Sequence, residues 1–247
     1  MGGIFKIDGK LFRFGTKLTD LMIINLLTLL CCLPIFTIGP ALTAMHYVLL
    51  RLYRDEEGYI VKSYFKSFKE NFKQATLIWL IYLGIIAVVG LDAWVIAKGG
   101  LEIPAFIKYA LVFVGVLGTF SLTWVFVLQS RYENPIKATI KNSFIVSVAN
   151  FFKTVMMLIM LLVPALLIFI SEATLPIVFF YGFSLPGLLQ TMIYSKIFDR
   201  MEGVVRDAAS GENADDGWTI EEEDDSTNAV TESEENTDVQ NDEEMEK

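Results

Sequence analysis

The sequence predicts an all-α, polytopic membrane helix bundle of about six transmembrane helices, with two amphipathic interfacial helices and a disordered acidic tail. Three observations predict it. The chain of 247 residues is 53% hydrophobic with a mean hydropathy of +0.49, above the usual 45–50% apolar content of soluble domains. Its apolar residues fall in runs long enough to cross a bilayer, which takes about 20 residues of helix. Its cationic residues gather in the segments between alternate runs.

The formal charge of −9 averages two unlike parts. Residues 202–247 hold 18 of the 29 acidic residues and only two basic ones, whereas residues 1–201 carry a net charge of +7. The first part reads as a cationic membrane domain. The second cannot bury enough apolar surface to offset its ordering entropy and reads as a disordered, solvated tail.

Four runs qualify readily as spans: Ala75–Ala97, Pro104–Leu128, Thr154–Ser171 and Leu175–Tyr194. The amino-terminal segment is harder. Leu21–Ile38 is long enough for one crossing, while Ala41–Leu52 is short, and "CCLPIFTIGPALTAM" between them holds Pro34, Gly39 and Pro40. A chain reversal explains those residues: proline lacks a helical N–H, and glycine tolerates positive φ. With this reversal, six spans put 17 Lys and Arg on one side and 2 on the other; five spans give 13 and 6. The positive-inside rule selects six spans with both termini cytoplasmic. Ala41–Leu52 either crosses fully or forms one leg of a re-entrant hairpin, with the same sidedness. No small-residue cleavage site follows the basic amino-terminal arm.

Two loops carry amphipathic patterns. "YIVKSYFKSFKENFKQ" (59–74) has Val61, Phe65, Phe68 and Phe72 on one helical face and Lys62, Lys66, Lys69 and Lys73 beside it. That pattern suits a helix lying among anionic lipid headgroups, with the lysines as headgroup contacts; packing of the aromatic face against other spans is the alternative. "YENPIKATIKNSFIVSVANFFK" (132–153) resembles it at an offset of 79 residues, with Tyr53, Lys62, Phe65, Asn71 and Phe72 recurring as Tyr132, Lys141, Phe144, Asn150 and Phe151. The two copies share one sidedness, unlike the inverted repeats of many transporters.

Within the spans, polar and helix-breaking residues mark candidate sites. Asn25 and Thr28 lie one turn apart on the first span, as do Thr43 and His46 on the second, and a closed hairpin would let these faces meet. Buried polar groups in a bilayer are costly and serve function or helix packing. The last span holds Ser184, Pro186, Gly187 and Gln190, a combination that interrupts a helix, as at transporter ligand sites, or merely kinks it. Gly115, Thr119 and Thr123 form a small-residue packing stripe, and Asp92, Glu102 and Glu172 read as interfacial charges.

Cys31 and Cys32 are adjacent and read as small hydrophobes, and a lone histidine excludes a histidine-rich metal site. The sequence has no phosphate loop, zinc signature or nucleophile elbow. Ser63–Lys66 fits Ser-x-x-Lys only by chance, since its lysine belongs to the cationic face. No enzyme activity, cofactor or metal is expected. Nucleic acid is excluded as a partner because aromatic residues pin the cationic clusters to lipid.

"LPIFTIGPALTAMHYVLLRLYRDEEG" followed by "KSYFKSFKENFKQAT" resembles the YesL-like family of bacterial membrane proteins. The likeness runs from Phe5 to Arg206, is most specific over Leu33–Thr76, and excludes the acidic tail. The family has no established activity and no assigned site residues. Its members are commonly encoded beside carbohydrate importers, polysaccharide-degrading enzymes and two-component regulators. The resemblance therefore implies an accessory role in carbohydrate uptake in a bacterial cell membrane, with importer or sensor-kinase membrane subunits as protein partners. A small solute transporter or channel, or a membrane regulator of a sensor kinase, are the other readings. Neither solute nor oligomeric state follows from the sequence.

Overall fold

A computed structural model of the chain describes residues 10–210 apart from Glu57 and residues 99–103. All regular structure among the described residues is helical. The order is α1 (Lys10–Cys32), a 3-10 turn (Ile35–Thr37), α2 (Ile38–Tyr53), α3 (Ile60–Ala97), α4 (Ala105–Gln129), α5 (Ile136–Ala149), α6 (Phe151–Ile170), a second 3-10 turn (Glu172–Thr174), α7 (Leu175–Tyr181) and α8 (Ser184–Ser210). Five helices are long and apolar enough to cross a membrane. A sixth span forms if Glu172–Tyr181 and Ser184–Gly203, bent by 55°, count as one.

The chain divides into two units, residues 1–199 and 200–247. In the second, α8 continues to Ser210, past the expected end of order at residue 201. The acidic runs begin only at Glu212, and "VVRDAAS" before them has nothing that breaks a helix. The acidic tail from Gly211 onward, Lys6 and Glu102 lie outside the described residues.

The chain reverses at residues 33–37. Thr37 Oγ1 reaches both Cys31 O (2.6 Å) and Pro34 O (2.7 Å), within hydrogen-bonding distance of a carbonyl that α1 leaves open at its end. Pro34 precedes the 3-10 turn in an extended conformation. Gly39 has a different role from that expected, while Pro40 stands near the start of α2, as a helix-opening proline does. Both lie inside the first turn of α2, where proline's missing N–H costs nothing. Gly39 is there for close approach: a Cβ would run into the Ala75 carbonyl and lie 2.8 Å from Trp79 Cβ.

α2 has 16 residues, about 24 Å of helix, short of the roughly 30 Å hydrocarbon layer. Its burial accounts for that. Within the span Ile35–Tyr53, 61% of the apolar window is buried in protein, against 11% for α6. α2 is the helix that protein rather than lipid surrounds. Ala44, Met45, Val48 and Leu49 pack with Leu21 and Ile24 of α1 and Tyr64 of α3, while Ile78 and Tyr82 pack with Val125 and Phe126 of α4. Outside this core Val88, Leu91, Phe113, Leu162, Leu166 and Ile177 are exposed. Apolar surface this extensive suits acyl chains as its solvent.

The two expected interfacial helices differ. Residues 60–74 are not a separate helix but the first part of α3, which runs unbroken for 38 residues, about 57 Å. No proline falls in Ile60–Ala97 and the first glycine is Gly84, so nothing stops propagation. The buried residues of this part are Tyr64 and Ser67, a face that continues through Ala75 and Ile78, with Val61 and Phe65 exposed. α5 is separate, because Pro135 precedes it and Asn150 (φ −116°, ψ 45°) breaks it from α6.

The 79-residue offset reappears as a burial register. Met45, Val48, Leu49, Tyr64, Ala75 and Ile78 are buried, and so are Trp124, Val127, Leu128, Ser143, Thr154 and Met157.

Contacts also gather the basic segments of the first unit at one end of its bundle. Lys17 on α1 pairs with Asp55 after α2 at 2.7 Å, and Arg54 pairs with Asp199 on α8 at 2.7 Å. Gln129 at the end of α4 meets Asn71 on α3, and Tyr132 meets Phe198 edge to face at 5.4 Å.

Candidate functional site: a broken last span and its cavity

The last span breaks at Gly182 and Phe183, between α7 and α8. A helix broken at membrane depth leaves carbonyls of the first piece and N–H groups of the second in need of partners. Asn25 of α1, fully buried, supplies them. Its Nδ2 donates to Phe179 O at 2.7 Å, and its Oδ1 accepts from Phe183 N at 2.7 Å and Ser184 N at 3.0 Å. One amide thus serves both sides of the break.

The predicted meeting of Asn25 and Thr28 with Thr43 and His46 does not occur through hydrogen bonds. Thr28 donates to Ile24 O at 2.8 Å and Thr43 to Gly39 O at 3.0 Å, each bonding back to its own helix. His46 instead faces α8. Its ring lies edge to face on Tyr194 at 5.8 Å, with Nδ1 3.5 Å from the Tyr194 hydroxyl.

Pro186 falls in the first turn of α8, just beyond the break rather than at it. At Gly187 a Cβ would come 2.7 Å from Leu49 Cδ1, so this glycine lets α8 approach α2. Gln190 Nε2 donates to Met157 O at 2.9 Å and ties α8 to α6. The Ser184 hydroxyl is buried without a hydrogen-bond partner.

Beside the break is a cavity of about 240 Å³, walled by α2, α3, α4, α6 and the start of α8. It brings together His46, Gly182, Pro186, Gly187 and Gln190, with Trp79, Thr119, Thr123, Phe126 and Leu158 among its other walls. The hydroxyls of Thr119 and Thr123 donate back to Gly115 O and Thr119 O, both at 2.9 Å. With their protons spent, Thr119 and Thr123 are left as acceptors, beside the buried His46 and Gln190. Asn25, Thr28, Thr43, Pro34, Gly39, Pro40 and Ser184 do not line the cavity.

Lys62, Lys66, Lys69 and Lys73 are exposed along α3. Glu70 stands 4.0 Å from Lys66, too far for a firm pair.

The sequence reading passed over several buried polar clusters. Gln129 Nε2 donates to Asn71 Oδ1 at 3.0 Å, and Gln129 Oε1 accepts from Gln74 at 3.1 Å and Thr139 at 3.4 Å. Tyr82, Ser121 and Ser143 form a hydroxyl chain, and Trp124 Nε1 donates to Thr154 at 2.9 Å. The available signal was helical spacing: Tyr64, Ser67, Asn71, Ala75 and Ile78 follow at steps of three and four.

The helices, their length and their apolar outer surface define a polytopic helical membrane protein. Its amino-terminal part, residues 21–93, matches a family described as "Protein of unknown function, DUF624". That match covers most of α1, the reversal, α2 and nearly all of α3. No curated protein and no solved structure matches the chain.

Proposed function

We propose that this chain is an accessory protein of the bacterial cell membrane that works by binding rather than by catalysis, with both termini cytoplasmic. In this reading the broken last span is its working part. The observation that carries the proposal is the closure of that break by Asn25 on the first span. A broken helix held by one side chain from another span has two natural arrangements, latched and released, through which binding at the cavity is felt elsewhere. The gathering of basic segments at one end supports the cytoplasmic placement of both termini.

The resemblance to the YesL-like family supports a carbohydrate-uptake context and a membrane subunit of an importer or sensor kinase as partner. The cavity supports an accessory role over passage of the sugar itself. A sugar's many hydroxyls need both donors and acceptors, and the walls are mostly apolar, with acceptor capacity at His46, Gln190, Thr119 and Thr123. Photo-crosslinking from Lys62, Lys66 and Lys69 in native membranes, followed by mass spectrometry, tests the partner. Capture of an importer or kinase membrane subunit is expected. Capture of lipid alone would contradict it.

The bent last span favours a second reading, a small-solute transporter. Solute flux in reconstituted vesicles that is lost on Asn25→Ala would support that reading over the first.

A further inference from the structure

We infer that the cavity beside the broken span is a binding site for a small, largely apolar molecule that carries a hydroxyl group. Size is the first ground. An enclosed apolar cavity of about 150 Å³ already holds benzene, so about 240 Å³ accommodates a substituted ring or a branched chain of similar bulk.

The hydrogen-bond arithmetic is the second. Gln190 is 5% exposed and spends its amide N–H₂ on Met157 O, while its Oε1 has no partner among the described residues. His46 is 6% exposed. Thr191 has one hydroxyl proton, and it goes to Gly187 O at 2.8 Å. The Tyr194 proton therefore goes to Thr191, also at 2.8 Å, or to the His46 carbonyl at 3.4 Å. With that proton committed, the Tyr194 oxygen faces His46 Nδ1 as an acceptor, at 3.5 Å. An imidazole with its single proton on Nδ1 presents Nε2 as a lone pair.

Gln190 and His46 line the cavity with acceptor capacity to spare, as do the hydroxyl oxygens of Thr119 and Thr123, within walls that include Trp79, Phe126 and Leu158. Such a set selects a hydrogen-bond donor on an apolar body. It discriminates against the same body without the donor, because the acceptors then stay buried and unpaired. This inference uses the cavity that the proposed function also uses, but names no protein partner. Its failure would leave the crosslinking result untouched.

The test uses the purified full-length chain in detergent micelles, with fluorine NMR relaxation of 4-(trifluoromethyl)phenol and of its methyl ether, against empty micelles. The phenol is expected to bind saturably and the ether at least tenfold more weakly. Gln190→Met should bring the phenol down to the level of the ether, and Leu158→Trp, which fills the space, should abolish both. Wild-type protein alone decides the matter if either variant fails to fold. Equal affinity for phenol and ether, or no saturable binding of either, would overturn the inference. So would phenol binding that survives a folded Leu158→Trp, or a co-purified stoichiometric lipid whose acyl chain blocks both probes.

Discussion

Asn25 concentrates more structural consequence than any other polar side chain in the membrane domain, because three backbone groups depend on it. Removing it strands Phe179 O, Phe183 N and Ser184 N in a setting without water to replace it. An unsatisfied buried group costs about 1–3 kcal/mol in proteins generally, while side-chain hydrogen bonds between membrane helices average nearer 0.6 kcal/mol. Asn25→Ala is therefore expected to destabilise the fold by about 2–4 kcal/mol, read by steric trapping or SDS titration of the purified protein. A loss below about 0.5 kcal/mol for Asn25→Ala would show that the break satisfies itself. The sequence marked Asn25 correctly as a polar group needing a reason, but paired it with the wrong helix. Its true partners lie more than 150 residues away, a distance at which spacing along one helix carries no information.

Among the elements, α3 shows why the amphipathic pattern of residues 59–74 was ambiguous. Lysines along one stripe and aromatics along the next suit a helix at a lipid surface and equally the protruding end of a long span. Continuity decided it, and continuity was legible as the lack of any breaker between Ile60 and Leu83. The packing face was less so, because its members Ser67, Asn71 and Gln74 are polar and look solvated in isolation. Asn71 and Gln74 are held instead by Gln129 at the end of α4, which joins α3, α4 and α5, while Ser67 accepts from Asn71. Gln129→Leu is expected to cost about 1–3 kcal/mol, and a double-mutant cycle with Asn71→Ala should give a coupling of about 0.6 kcal/mol or more. Strict additivity would mean that the cluster is incidental to packing. The weak 79-residue repeat follows the same logic. Five identities carried little weight, yet the buried positions on α2 and the first part of α3 recur on α4, α5 and α6. Burial register is conserved by the geometry of packing where residue identity is not.

For the whole molecule, hydropathy is additive along the chain, which is why the number of candidate spans was legible from sequence. The cavity was not, since it needs five segments to be brought together. The exposed lysines of α3 belong to this scale as proposed contacts with anionic headgroups. With about 1 kcal/mol available per lysine near an anionic surface, nanodiscs containing phosphatidylglycerol should stabilise the protein thermally relative to phosphatidylcholine. Replacing Lys62, Lys66, Lys69 and Lys73 by glutamine should remove most of that difference; an undiminished difference would assign the anionic-lipid effect elsewhere.

The proposed topology, with the basic segments toward the cytoplasm, stands on the chain doubling back at residues 33–37. Single cysteines at positions 15, 56 and 108, introduced with Cys31 and Cys32 replaced by serine, test this in intact cells with a membrane-impermeant maleimide. Gly15→Cys and Glu56→Cys should stay unlabelled until the cells are permeabilised, and Lys108→Cys should label at once. Labelling of Gly15→Cys from outside, with Glu56→Cys protected, would put a single crossing where the hairpin stands and contradict the six-span arrangement.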